Sequence, residues 1–114
     1  MQLGNDVINQ IVERLKPADP YKIVLFGSYA KGTADKDSDI DLLVILDNFN
    51  IVKTSSEKFK IYINVSNLLL DTNKKYHMDV IIYSRAEFNN LMEDGSSFWD
   101  AVSKTWKALY EKRN

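Results

Sequence analysis

Cysteine is absent from all 114 residues. That excludes disulfides, thiolate zinc centres and thiol nucleophiles, and it suits a reducing compartment. No run approaches the eighteen or so apolar residues that a membrane span needs. At the N-terminus Asn5, Asp6, Asn9, Gln10, Glu13 and Arg14 interrupt the apolar residues, unlike a secretory leader. A cytoplasmic protein with no membrane partner is expected. Neither sign of charge dominates: the net charge is −1, whereas nucleic-acid binding calls for a basic domain. Direct nucleic-acid binding is therefore not expected. Neither an internal repeat nor a low-complexity tract occurs.

With 45 % hydrophobic and 27 % charged residues, the composition is that of an ordinary globular protein. Residues 1–114 are enough for one domain with a single core. Val7, Ile8, Ile11, Val12 and Leu15 recur at helical spacing and predict an amphipathic helix over about 4–16. Pro17 and Pro20 end it and predict an extended connection. Residues 22–26 lack polar alternation, as in a strand covered on both faces. Gly27 and Ser28 then turn the chain into a short helix over about 28–31, which Gly32 closes. Thr33 to Asp37 is a polar, exposed loop.

A second strand spans 39–46, polar on one face at its start and apolar at its end. From about 55 to 71, Phe59, Tyr62, Ile63, Ser66, Leu69 and Leu70 share a helix face. Ile61, Val65 and Leu68 widen it, which predicts a largely packed helix. Met78 to Tyr83 reads as a third strand, and 85–94 as a short helix stopped at Gly95. From Ser97 to Glu111 two readings compete. Phe98, Trp99, Val102, Trp106 and Leu109 suit a helix, while Trp106, Ala108 and Tyr110 suit a short strand. The fold class is α/β (α+β), with helices flanking a small mixed sheet.

The chemistry concentrates in Gly27-Ser28-Tyr29-Ala30-Lys31-Gly32, followed by Ser38-Asp39-Ile40-Asp41-Leu42. Alternate residues of a strand share a face, so Asp39 and Asp41 project together with Cα atoms about 6.6–6.8 Å apart. Carboxylates so placed repel unless a cation neutralises them. They suit Mg²⁺, whose oxygen ligands lie at about 2.0–2.1 Å. If the second and third strands pair with their starts at one end, Asp79 joins them. Three carboxylates could then hold two Mg²⁺ ions about 3.5–4 Å apart, as in-line phosphoryl displacement uses. One ion would hold a triphosphate and the other would activate a hydroxyl, with Asp79 as second-metal ligand or general base. Gly27 lets backbone come close to a ligand, and the helix start behind it favours phosphate oxygens. The Ser28 hydroxyl could donate one more hydrogen bond. Ser38, grouped with Gly27 and Ser28 as nucleotide-binding, suits the turn into the strand better than contact with substrate.

This pattern resembles the nucleotidyltransferase superfamily of the DNA polymerase beta type: Gly-Ser, a later Gly, Ser-Asp-x-Asp-Leu, and a third Asp. More narrowly, the chain is similar to minimal nucleotidyltransferases of the MNT type. These are antitoxins of HEPN toxins that transfer AMP from ATP to a tyrosine of the toxin. The resemblance implies that Gly27 and Ser28 contact phosphate and that Asp39, Asp41 and Asp79 are catalytic metal ligands. It also implies Mg²⁺ as cofactor, ATP as co-substrate and a HEPN toxin as partner, and it favours a strand over 106–110. Position 31 departs from the family, which has Arg where this chain has Lys31. Lysine keeps the charge and loses the bidentate fork, so Lys31 is given no catalytic role.

Other candidates have plainer readings. His77 adjoins the third strand, where an exposed residue is commoner than a base. Trp99 and Trp106 read as packing, and Asp35, Asp37, Lys74 and Lys75 as solvated loop charges. Lys104, Lys107, Lys112 and Arg113 make a basic C-terminus too sparse for an RNA site. Roughly 70 residues follow the motif and complete the sheet and its helices, so the acceptor is expected on another protein. Two alternatives stand beside a protein adenylyltransferase. One is an antitoxin acting by contact alone, and the other is a transferase of small-molecule antibiotics.

Overall fold

The computed structural model describes residues 3–95 and 97–113. Helix α1 (Asn5–Leu15) buries Ile11 and Leu15, one turn apart, as the apolar spacing predicts. The link after it is not extended. Pro17 sits in a one-turn 3₁₀ helix over Lys16–Ala18, where a missing N–H costs nothing. Asp19 then takes a left-handed conformation, φ 54°, with its N–H on the Lys16 carbonyl at 2.9 Å. Strand β1 (Pro20–Phe26) follows, then α2 (Ser28–Lys31), β2 (Ile40–Leu46), α3 (Ser55–Leu68) and α4 (Leu70–Lys75). The chain closes with β3 (Met78–Ser84), α5 (Arg85–Glu93), α6 (Ser97–Lys104) and β4 (Lys107–Glu111). Both readings of the tail hold, each over its own part. The side chain of Phe98, placed on the apolar face by its spacing, lies outside the described residues.

The four strands form one mixed sheet in the order β3-β2-β1-β4. β1 pairs antiparallel with β2 and β4, while β2 and β3 run parallel. Ile23, Leu25, Ile40, Leu42 and Val44 pack on one face with Ile11, Leu15, Val65 and Leu69. Val24, Leu43 and Ile45 pack on the other with Phe88 and Val102. The central strands are therefore covered on both sides, which explains their unbroken apolar runs. Trp99 meets Phe88 and Trp106 edge-on, with ring centroids at 5.3 and 5.4 Å, and closes the second face. No helix among the described residues is long and apolar enough to cross a membrane.

The helix expected over 55–71 differs in two ways. It breaks at Leu69, which is itself buried, and it is mostly unpacked. Within α3 only Val65 is fully buried, whereas Phe59 is 64 % exposed, Tyr62 45 % and Ile63 39 %. Its apolar residues surround the helix, and one side alone can face the sheet. Lys74 and Lys75 lie in α4 and not in a loop, although both are exposed as expected.

Charges clamp the far end of the sheet. Asp47, just past β2, meets the Arg85 guanidinium at 3.1 Å and Lys112 Nζ at 2.7 Å. Lys112 also reaches Asp19 at 2.9 Å, so this lysine of the sparse basic C-terminus ties two acidic residues together. Hydrogen bonds from Lys112 and then Arg85 hold the Asp47 carboxyl below its usual 3.8, and Lys112 is raised in turn. A carboxyl lowered by folding stabilises the protein above its unfolded pKa, and that contribution vanishes as pH falls through the folded value. Asp47→Asn should therefore melt below wild type at pH 7, and the two melting curves should converge towards pH 2. A constant gap across this range would remove the ion pairs as its cause.

Candidate active site

Strand pairing assembles the carboxylates. Asp41, the second residue of β2, stands opposite Asp79, the second of β3, on parallel neighbours. Met78 and Val80 pack with the first core and Ile81 and Tyr83 with the second, so alternation puts Asp41 and Asp79 on the same face. Asp39 precedes β2 by one residue, and Asp39 and Asp79 are exposed while Asp41 is half-buried. The Asp41 carboxyl is raised above its usual 3.8 by burial first, then by the charges of Asp79 and Asp39. The three aspartates expected to act together thus share one electrostatic field.

That field, and a donor set made only of carboxylate oxygens, suits a hard divalent cation. Among the described residues, no group of three or more carboxylates or imidazoles converges closely enough to hold an ion. The fit therefore rests on donor chemistry and strand placement, and no coordination geometry follows from it.

Gly27 has a backbone of φ 74° and ψ −152°, a region that essentially only glycine occupies. A Cβ there would overlap Asp41 Oδ2 and lie 3.1 Å from Asp41 Cγ. The space that glycine leaves is filled by the aspartate of the site itself. Phe26 opposes Asp41 in the β1–β2 ladder, so strand register imposes this approach. Ser28 opens α2, and Gly32 closes it in a left-handed conformation with its N–H on the Ser28 carbonyl. Tyr29 is buried and anchors this turn to the first core.

Ser38 is occupied within its own turn. Its Oγ accepts from the Asp35 N–H at 2.9 Å and donates to Asp35 Oδ1 at 3.2 Å. Asp35 Oδ1 also accepts from the Asp37 N–H at 2.9 Å, so Asp35 builds the loop and is more than a solvated charge. Ala34, within the stretch expected to be exposed, is buried in the first core. His77 is exposed, and its carbonyl accepts the Ile40 N–H at 2.8 Å, tying the starts of β2 and β3 together. Lys31 is exposed. One residue escaped sequence reasoning: Thr105 Oγ1 accepts the Gly27 N–H at 3.1 Å from 78 residues away. Only the β1–β4 register could have pointed to it.

Known proteins are similar in sequence over part of the chain and in fold over most of it. A stretch of 47 residues is 45 % identical to a Methanocaldococcus jannaschii protein provisionally named a protein adenylyltransferase. The match covers 39 % of this chain and 32 % of that protein, so the chain spans about a third of that relative's length. A chain from the crystal structure of a toxin–antitoxin with AMP-PNP superposes with a TM-score of 0.56 at 21 % identity. That likeness covers 93 % of this chain and 74 % of the other. A chain from the tri-AMPylated Shewanella oneidensis HEPN toxin in complex with MNT antitoxin gives 0.50 at 18 % identity. Coverage there is 93 % of this chain and 71 % of that one. At such identities the likeness is one of fold. The family model of the nucleotidyltransferase domain matches residues 6–107, and with nearly the whole chain inside it, this protein belongs to the nucleotidyltransferase domain family.

Proposed function

We propose that the chain transfers AMP from ATP to a hydroxyl of a protein partner, a tyrosine of a HEPN-type toxin, and so acts as an antitoxin. The observation that carries this reading is Asp41 set opposite Asp79 with Gly27 pressed against it. The names of the similar proteins, an adenylyltransferase and toxin–antitoxin complexes, supply the partner and the transferred group. A cytoplasmic setting would supply ATP as the donor.

In this reading the acceptor oxygen bonds to the α-phosphorus while the bond from that phosphorus to the α,β-bridging oxygen breaks. The electron pair leaves with pyrophosphate, and the hydroxyl proton passes to a carboxylate. Asp79, exposed and paired with Asp41, would be that carboxylate if it serves as general base and not as second-metal ligand. Gly27 and Ser28 position the phosphates at the start of α2, and this in-line placement supplies much of the acceleration. Magnesium held by Asp39, Asp41 and Asp79 would neutralise the triphosphate and the attacking oxygen.

One feature favours a contact role beside the chemistry. Phe59, Tyr62 and Ile63 of α3, with Phe49 and Ile51 in the loop before it, expose apolar surface that a partner could cover. Neutralisation by contact and modification of the same partner are compatible.

Two experiments test this reading. With Mg²⁺ and the co-expressed partner, α-labelled ATP should mark the partner and γ-labelled ATP should not. Asp41→Asn should lower that transfer roughly a hundredfold or more while the complex persists. Label from the γ position, or none from either, would replace nucleotidyl transfer with another activity or with contact alone. The second test concerns the cation. Because burial and two like charges disfavour ionised Asp41, Asp41→Asn should melt a few degrees above wild type without divalent ions. Adding Mg²⁺ should then raise wild type and leave the variant unmoved. A wild type indifferent to Mg²⁺ would sink the carboxylates as its site.

A further inference from the structure

Among the described ladders, β1 and β4 pair Val24 with Ala108 and Leu25 with Lys107. Continued outwards, that register sets Gly27 opposite Thr105, one residue after α6 ends. The backbone there has left the sheet: the Thr105 N–H bonds the Val102 carbonyl at 3.1 Å, closing the helix. A side-chain oxygen takes the place of the missing ladder carbonyl, and Thr105 Oγ1 accepts the Gly27 N–H at 3.1 Å. The bond fixes the plane of the Phe26–Gly27 peptide. That plane sets how Gly27, at φ 74° and ψ −152°, lies against Asp41 and directs Ser28 into α2.

We infer that Thr105 is a positioning residue for the nucleotide site, its hydroxyl oxygen holding the Gly27–Ser28 turn in register with Asp41. The role rests on the proposed nucleotidyl transfer, and it acts through Gly27 without touching substrate. The site thereby depends on the C-terminal end of the chain. Displacing β4 or the end of α6 would loosen the turn.

Thr105→Val keeps the shape and removes the acceptor, whereas Thr105→Ser keeps the oxygen and removes the methyl. By NMR, Thr105→Val should speed exchange of the Gly27 amide about five- to tenfold, the scale of one neutral hydrogen bond. It should weaken Mg²⁺–ATP binding by a similar factor, and Thr105→Ser should restore both to near wild type. The inference is overturned if Thr105→Val leaves Gly27 exchange unchanged. A Thr105→Ser variant as impaired as Thr105→Val overturns it too, because packing of the methyl would then be the cause. If wild type binds no nucleotide, the proposed function fails, while Gly27 exchange still decides whether Thr105 holds the turn.

Discussion

The contact between the Gly27 backbone and the Asp41 carboxylate is the constraint on which the rest of the site depends. It exists only in one register of β1 against β2, with Phe26 opposite Asp41. That register is imposed by the core, because Ile23 to Leu25 and Leu42 to Ile45 are buried on two faces at once. A slip of one residue would exchange the sets that meet α1 and α5 and draw Asp41 into the apolar layer. Burying each such side chain contributes about 1.5–3 kcal/mol, so several together outweigh a repelled, half-buried carboxylate. The packing that determines the fold also keeps the charged cluster in place.

The motif was legible because it is local. Gly27, Ser28, Gly32, Asp39 and Asp41 lie within one turn and one strand start, and each has a reason visible in neighbouring residues. Asp79 was legible through a topological guess, parallel pairing of β2 and β3, which the register bears out. What stayed hidden depends on distant partners. Asp47 meets Arg85 and Lys112, 38 and 65 residues away, and neither pairing leaves a local trace. For α3 the failure has a different cause. Apolar residues all round a helix do not tell which side is covered, and Phe59 and Tyr62 belong to the uncovered side. The Pro17–Pro20 link opens with a 3₁₀ turn and not an extended segment because proline also suits the first turn of a helix.

The two ends of the sheet differ in what they offer a ligand. At the carboxyl ends of β2 and β3, a cavity of about 580 Å³ lies between α3, the 50–52 segment and β3. The two helices that begin there, α3 and α5, are already capped: Thr54 Oγ1 accepts from the Glu57 N–H at 3.2 Å at the start of α3. Ser84 caps α5 by accepting from the Glu87 N–H, while Glu87 Oε1 accepts from the Ser84 N–H at 2.9 Å. At the other end α2 starts at Gly27 with no side-chain cap. Because β1 runs antiparallel to β2, its carboxyl end coincides with the amino ends of β2 and β3, where the aspartates stand. A ligand carrying both phosphates and a cation needs donors and carboxylates side by side, and this end brings the uncapped start of α2 beside Asp41 and Asp79. Reversing one central strand is what brings a helix start and three carboxylates to the same edge. The proposed chemistry follows from that arrangement, whereas the helix starts that line the cavity at the opposite end, those of α3 and α5, carry the side-chain caps Thr54 and Ser84.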